Sequence, residues 1–425
     1  MLKDLPELIQ AQVISQETAD RITAYYKSRE GASSNRQLVA FGILGAMLVG
    51  LGIILIIAHN WDDLPRVAKT GFAFLPLIVG QVLCWYVLRR QMEQTGWRES
   101  TAAFLFFAVG ASISLVSQIY NIPGDLSAFM FTWMLLCLPI VYVMRSSMAS
   151  LLYIAGITYY AVQNGYWTFP HAESYTYWLL LTAILPHYYN LFVSNPRSNF
   201  TTFHHWLVSV SLSIALGTVA AAMDEWMFLA YFSLFGLFYL AGNSSHLDGL
   251  SARNNGYKII GSLGTVVLLL ILSFDWFWEE LSRTSFSWGQ LMQAPEFYAV
   301  LILVSAALWL LLSQQKRTPL SALKPLSPVF LFFALIFVLG HFIPGAVVLI
   351  NLLTLAVGVL YIREGSRNDH LGVLNFGLLI ITALVICRFF DTDLSFVVRG
   401  LMFLTVGAGF FIANYRTIKK RKTHE

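Results

Sequence analysis

The chain has 425 residues, 57% of them hydrophobic and only 12% charged, with a formal net charge of +4. A soluble domain carries about 25% charged residues, so this composition excludes a single water-soluble core and names the bilayer as the solvent. The small positive charge resolves into short loops on one side and does not call for nucleic acid.

Residues 1–36 form a polar head. Leu2, Leu5, Leu8 and Ile9 fit one face of a helix, and Ser15 is placed to cap a second that carries Glu17 in its first turn and Ile22, Tyr25 and Tyr26 on its apolar side. Gly31-Ala32-Ser33-Ser34 reads as a linker. The head lacks an apolar signal-peptide core, so the first membrane helix is expected to act as an uncleaved signal. Its expected role is an amphipathic hairpin that lies on the cytoplasmic surface or docks on a cytoplasmic partner.

Apolar runs follow, each near the roughly 17–25 residues that span a bilayer. They cover 38–58, 67–88, 99–120, 126–144, 148–167, 175–194, 203–222, 226–243, 257–274, 296–313, 326–343, 345–362, 370–390 and 394–414. The fold class expected is therefore all-α: a polytopic helical membrane bundle of about 14 transmembrane helices behind a short N-terminal helical hairpin. Its domains are 1–36 (hairpin and linker), 37–415 (bundle) and 416–425 (basic cytoplasmic tail). The connection 275–295, with Trp276, Trp278 and Trp288, reads as an interfacial helix.

Loop charge sets the orientation. With the N-terminus inside, the cytoplasmic segments hold 22 of the 27 Lys and Arg residues, and only Arg66, Lys69, Arg283 and Arg388 fall outside. The expected protein sits in a bacterial inner membrane with both termini cytoplasmic. Cys84, Cys137 and Cys387 lie in apolar runs and read as small hydrophobes. No P-loop, GxSxG, HExxH or dinucleotide-binding fingerprint occurs, and no Cys/His spacing suggests zinc. No cofactor, metal or catalytic residue is assigned.

Three polar clusters map to the outer leaflet. The first ends helix 1 with His59, Asn60, Trp61, Asp62 and Asp63; the second ends helix 3 with Gln118, Tyr120, Asn121 and Asp125; the third joins the last two helices with Asp391 and Asp393, followed by Arg399. Arg399 lies about five residues into its span, where a cation needs a partner or a water-filled cavity; Asp391, Asp393, Asp62 and Asp63 are the candidates. Plain structure also accounts for such clusters: Asn and Asp cap helices, Trp anchors at an interface, and Pro123-Gly124 makes a turn. Read functionally, these twelve residues form a substrate-binding site open to the outer leaflet. Asp63 precedes Lys69 by six residues and Asp393 precedes Arg399 by six, a spacing that fits a weak repeat of the first and last hairpins. Among other embedded polar residues, His187 follows Pro186, which is expected to kink its helix, and His341 precedes a tight turn. Either could relay protons; a lone membrane histidine more often hydrogen-bonds a neighbouring helix.

The segments GLGIILIIAHNWDDLP and SQIYNIPGD, with the N-terminal hairpin, resemble the bacterial predicted-membrane-protein family catalogued as domain of unknown function 2157. The resemblance covers roughly the first third of the chain. It implies a membrane location and carries no activity. Three readings follow: a protein that transports or flips a small, amphipathic or lipid-linked substrate; a non-catalytic assembly or sensory scaffold; and an envelope enzyme acting on a membrane-embedded substrate. Membrane lipids are the surroundings in all three.

Overall fold

The computed structural model describes residues 13–23, 63–167, 175–221, 223–245, 249–284, 288–316, 323–343 and 345–389, with short stretches between 395 and 411 and single positions at 5, 9, 11 and 247. Contacts divide the chain into two units, Met1–Phe74 and Leu75–Glu425.

In the first unit, helix α1 covers 16–23. The Thr18 N–H donates to Ser15 Oγ at 3.2 Å, so Ser15 is the cap expected from the sequence. Leu5 and Ala19 are buried. Tyr25, Tyr26 and the first apolar run, 38–58, lie outside the described residues.

The rest is helical, with no strand among the described residues. Its helices are α2 (Arg66–Arg90), α3 (Thr95–Tyr120), α4 (Leu126–Val143), α5 (Ser147–Gly165), α6 (Thr176–Ser194), α7 (Asn199–Gly217) and α8 (Asp224–Gly242). Then come α9 (Gly256–Ile271), α10 (Trp276–Arg283), α11 (Trp288–Leu291), α12 (Pro295–Gln315), α13 (Val329–Gly340), α14 (Ala346–Arg367) and α15 (Leu371–Phe389). Every apolar run that falls within the described residues is a helix.

Chemistry at the ends explains where these helices start and stop. Asp125 Oδ1 accepts the Ala128 N–H at 2.6 Å, Ser146 Oγ that of Ala149 at 3.1 Å, Ser198 Oγ that of Thr201 at 3.1 Å and Asn255 Oδ1 that of Lys258 at 3.0 Å. Asn121 closes α3 at φ 50°, which lets the Ile122 N–H reach back to the Ser117 carbonyl at 3.0 Å.

Seven helices, α2, α3, α4, α8, α12, α14 and α15, are long and apolar enough to cross a membrane, and α9 with α10 makes an eighth if that bent pair is one span. The sequence expectation of about 14 is larger for identifiable reasons. Helices α5, α6 and α7 have 19 residues each but carry many Tyr, Ser, Thr and His. Helix α13 has 12 residues. The first run, and part of the last, lie outside the described residues. The seven leave wide apolar surface outward, with Trp85 62% and Trp309 71% exposed. Surface of that kind belongs against lipid.

Two apolar cores hold the second unit. One gathers Phe106, Met134, Tyr153, Ile157, Tyr177 and Val208; the other gathers Phe232, Trp278, Phe333, Phe337, Ile350 and Ile380. Leu212 and Tyr257 pack against both. Cys84 and Cys137 are buried in the first core as free thiols. Helix α10 turns 76° away from α9, burying Phe277, Trp278 and Leu281. The Trp278 indole N–H donates to the Leu272 carbonyl at 2.7 Å and so satisfies the end of α9. Arg388 sits at the same end, its guanidinium 4.7 Å over the Phe274 ring and 3.4 Å from Ser273 Oγ. It is half-buried, although the sequence reading places it near water.

Candidate functional site

Buried polar side chains collect where the starts of α3, α5, α7 and α9 meet the end of α6. The first part is a charge pair on α3. The Glu99 carboxylate, 6% exposed, lies 3.2 Å from the Arg98 guanidinium. It also accepts the Ser146 hydroxyl and, at 2.8 Å, the Met148 backbone N–H. Those groups open α5, so a carboxylate from α3 satisfies donors that the first turn of α5 cannot pair internally and sits at its positive dipole end.

The second part is histidine. His204, buried, donates from Nδ1 to the Phe200 carbonyl at 2.7 Å, because a carbonyl can only accept. In the neutral ring Nε2 is then the acceptor, and it receives the Ser150 hydroxyl at 2.9 Å. His187 lies beside it, ring centroids 6.2 Å apart, and its buried Nε2 has no hydrogen-bond partner among the described residues. Arg98 and Glu99 are within electrostatic reach of His187. Pro186 lies inside α6, where its ring opens the helix ladder; the Tyr142 hydroxyl donates to the nearby Ala183 carbonyl.

The third part links three helices. Tyr188 on α6 stacks on His204 with an interplanar angle of 10°. Its hydroxyl lies 2.5 Å from His205 Nδ1 on α7 and 3.0 Å from the Tyr257 hydroxyl on α9. His205 is 1% exposed, and its Nε2 has no partner among the described residues. Gly256 makes the approach of α9 feasible: a Cβ there would stand 2.7 Å from Trp206 Cα and 2.9 Å from the His205 carbonyl carbon.

A polar seam continues from this layer between α5, α6 and α7. Thr158 and Tyr177 hydroxyls flank Ser211 Oγ at 2.5 Å and 2.7 Å, all buried. Tyr153 donates to the Leu180 carbonyl at 3.1 Å, and Tyr166 donates to the Ile214 carbonyl at 2.7 Å. The ten residue steps from His204 to Ile214 rise about 15 Å along α7, about half of an apolar bilayer core.

Of the residues chosen from the sequence, seven lie outside the described residues: His59, Asn60, Trp61, Asp62, Asp391, Asp393 and Arg399. Asp63 is an exposed turn residue before α2. Gln118, Tyr120, Asn121 and Asp125 are exposed at the turn between α3 and α4, where Asn121 and Asp125 do the capping described above. Of the site now in view, the sequence reading singled out only His187. Its sequence signals were Arg98-Glu99 at the head of an apolar run and the adjacent pair His204-His205. No group of three or more His, Cys, Asp or Glu suited to a metal occurs among the described residues.

Apolar helices around a buried polar layer define an integral membrane protein with several spans. Residues 6–150, about a third of the chain, match the family model described as "Predicted membrane protein (DUF2157)", in agreement with the resemblance read from the sequence. No curated protein and no solved structure matches the chain.

Proposed function

We propose that the protein crosses the bacterial inner membrane about fourteen times, with both ends in the cytoplasm, and moves an amphipathic or lipid-linked substrate through its bundle. The polar seam between α5, α6 and α7 supports this reading. Ionisable and polar side chains are costly in hydrocarbon and mark substrate or ion paths when they face a bundle interior. In this topology the Arg98–Glu99 and histidine layer lies at the cytoplasmic end of the seam. The outer clusters (His59 to Asp63, Gln118 to Asp125, and Asp391, Asp393 and Arg399) are the proposed entry for substrate from the outer leaflet.

The test is lipid movement in reconstituted vesicles of phosphatidylethanolamine and phosphatidylglycerol that carry a fluorescent phosphatidylglycerol. Dithionite quenches probe in the outer leaflet only, so translocation appears as quenching beyond the protein-free plateau. The expected result is such extra quenching, lost when Thr158 and Ser211 are replaced together by leucine. Quenching identical to protein-free vesicles, with the protein folded, rejects lipid translocation and favours the scaffold reading.

A further inference from the structure

We propose that Tyr257, Tyr188 and His205 form a proton relay, and that the proton is the ion this protein moves across the membrane. The inference rests on the bundle spanning the bilayer and names the ion for the proposed transport.

The argument is one of donors and acceptors. Tyr188 has one hydroxyl hydrogen and two neighbours, His205 Nδ1 at 2.5 Å and Tyr257 Oη at 3.0 Å. The Tyr188 oxygen can accept from both, but when the Tyr188 hydrogen is itself bonded to one of these neighbours the chain runs in one of two senses. In one, Tyr257 donates to Tyr188, Tyr188 donates to Nδ1, and the imidazole hydrogen is on Nε2. In the other, Nδ1–H donates to Tyr188, Tyr188 donates to Tyr257, and Nε2 is bare. His204 has no such freedom, because the Phe200 carbonyl fixes its Nδ1–H. In the second sense Nε2 is bare and has no partner among the described residues, so it can bind a proton.

A proton delivered to the bare Nε2 makes an imidazolium. Its Nδ1–H passes to the Tyr188 oxygen as Tyr188 passes its own hydrogen to Tyr257, and Tyr257 releases its hydrogen to water. One proton enters and one leaves, with no bond between heavy atoms changed; rotation of the two hydroxyls and a flip of the imidazole ring, which carries the remaining N–H back to the Tyr188 side, reset the chain. The titratable groups around His205 are Tyr188 on α6, Tyr257 on α9 and His204 on α7 itself. Beyond His204 lie His187 on α6 and Arg98 and Glu99 on α3. No carboxylate touches His205 in the hydrogen bonds or ring contacts of the described residues, so the imidazolium has no fixed counter-ion there and the charge passes on.

Full-length protein in vesicles with luminal pyranine, driven by a potassium potential and valinomycin, reads the proton flux. Wild type is expected to exceed protein-free vesicles. Tyr188→Phe keeps the ring stacked on His204 and removes only the hydroxyl; it is expected to cut the flux at least tenfold, as is His205→Gln. Tyr159→Phe, at an exposed position, leaves it unchanged. Wild-type flux no greater than that of empty vesicles overturns the relay, as does Tyr188→Phe flux equal to wild type with an unchanged melting temperature. Proton flux without movement of the fluorescent lipid rejects the lipid substrate and leaves the relay standing; lipid movement without proton flux does the reverse.

Discussion

Removing the Glu99 carboxylate breaks three interactions at once. Glu99→Ala leaves the Met148 N–H without its 2.8 Å acceptor, Ser146 without its partner and Arg98 without its 3.2 Å counter-ion. A buried donor stripped of its acceptor costs about 1–3 kcal/mol, and breaking a fully buried ion pair costs about 3–5 kcal/mol. Arg98 keeps 24% of its side chain exposed, so part of its charge is solvated and the pair is worth less than that range. A total near 3 kcal/mol follows for Glu99→Ala. Glu99→Gln keeps one acceptor oxygen for Met148 and is expected to cost about 1 kcal/mol. Arg98→Met with Glu99→Met removes both charges and is expected to recover part of the loss, because the desolvation cost vanishes with the pair. The assay is tryptophan-monitored thermal unfolding of the full chain in detergent, at a fixed scan rate because unfolding at this size is commonly irreversible. At about 2 °C per kcal/mol for a large chain, Glu99→Ala lowers the midpoint by about 6 °C. Equal midpoints for wild type, Glu99→Ala and Glu99→Gln would refute the claim that this carboxylate ties α3 to α5.

Gly256→Leu should push α9 off α7, costing about 1–3 kcal/mol by overpacking and abolishing proton flux, whereas Gly249→Ala, with open space around it, should leave both unchanged; proton flux at wild-type level in Gly256→Leu contradicts the packing argument. Arg388→Leu loses the contact over Phe274 and the bond to Ser273, a destabilisation of about 1–2 kcal/mol readable in the same melt, and Arg388→Lys should recover only part of it. For the proposed topology, single cysteines at Ser174, Ser285 and Thr392 should label with an impermeant thiol reagent in spheroplasts while those at Ser34, Ser198 and Thr423 stay unlabelled; the opposite pattern, or a switch partway along, rejects it.

The helices were legible because each apolar run is long enough to show as one. Four of them also start on a side-chain cap, Asp125, Ser146, Ser198 and Asn255. The site was not legible in the same way, since its bonds join residues far apart in the chain. His204 meets Ser150 across 54 residues and Tyr188 meets Tyr257 across 69. Adjacent residues on a helix point about 100° apart, and so His204 faces α5 while His205 faces α6 and α9. From one sequence the pair looks like the polar entry to an apolar run.

For α5, α6 and α7, failing the span test and hiding the site have one physical cause. Helices α5, α6 and α7 fall below the apolar threshold because of Ser150, Tyr153, Thr158, Tyr177, His187, Tyr188, His204, His205 and Ser211. All of them but His187, whose Nε2 has no partner among the described residues, bond to one another or to facing backbone inside the bundle. A hydropathy window counts a buried, satisfied hydroxyl as if it met lipid. The neighbouring helices α3 and α4 present apolar faces to one core and α8 to the other, and all three pass the test. A helix can cross a membrane with less apolar character if its polar residues find partners within the bundle, which is how hydrogen-bonded interfaces stabilise membrane helices. Under the proposed topology, α5 to α7 turn their polar residues toward partners within the bundle, as the proposed path requires.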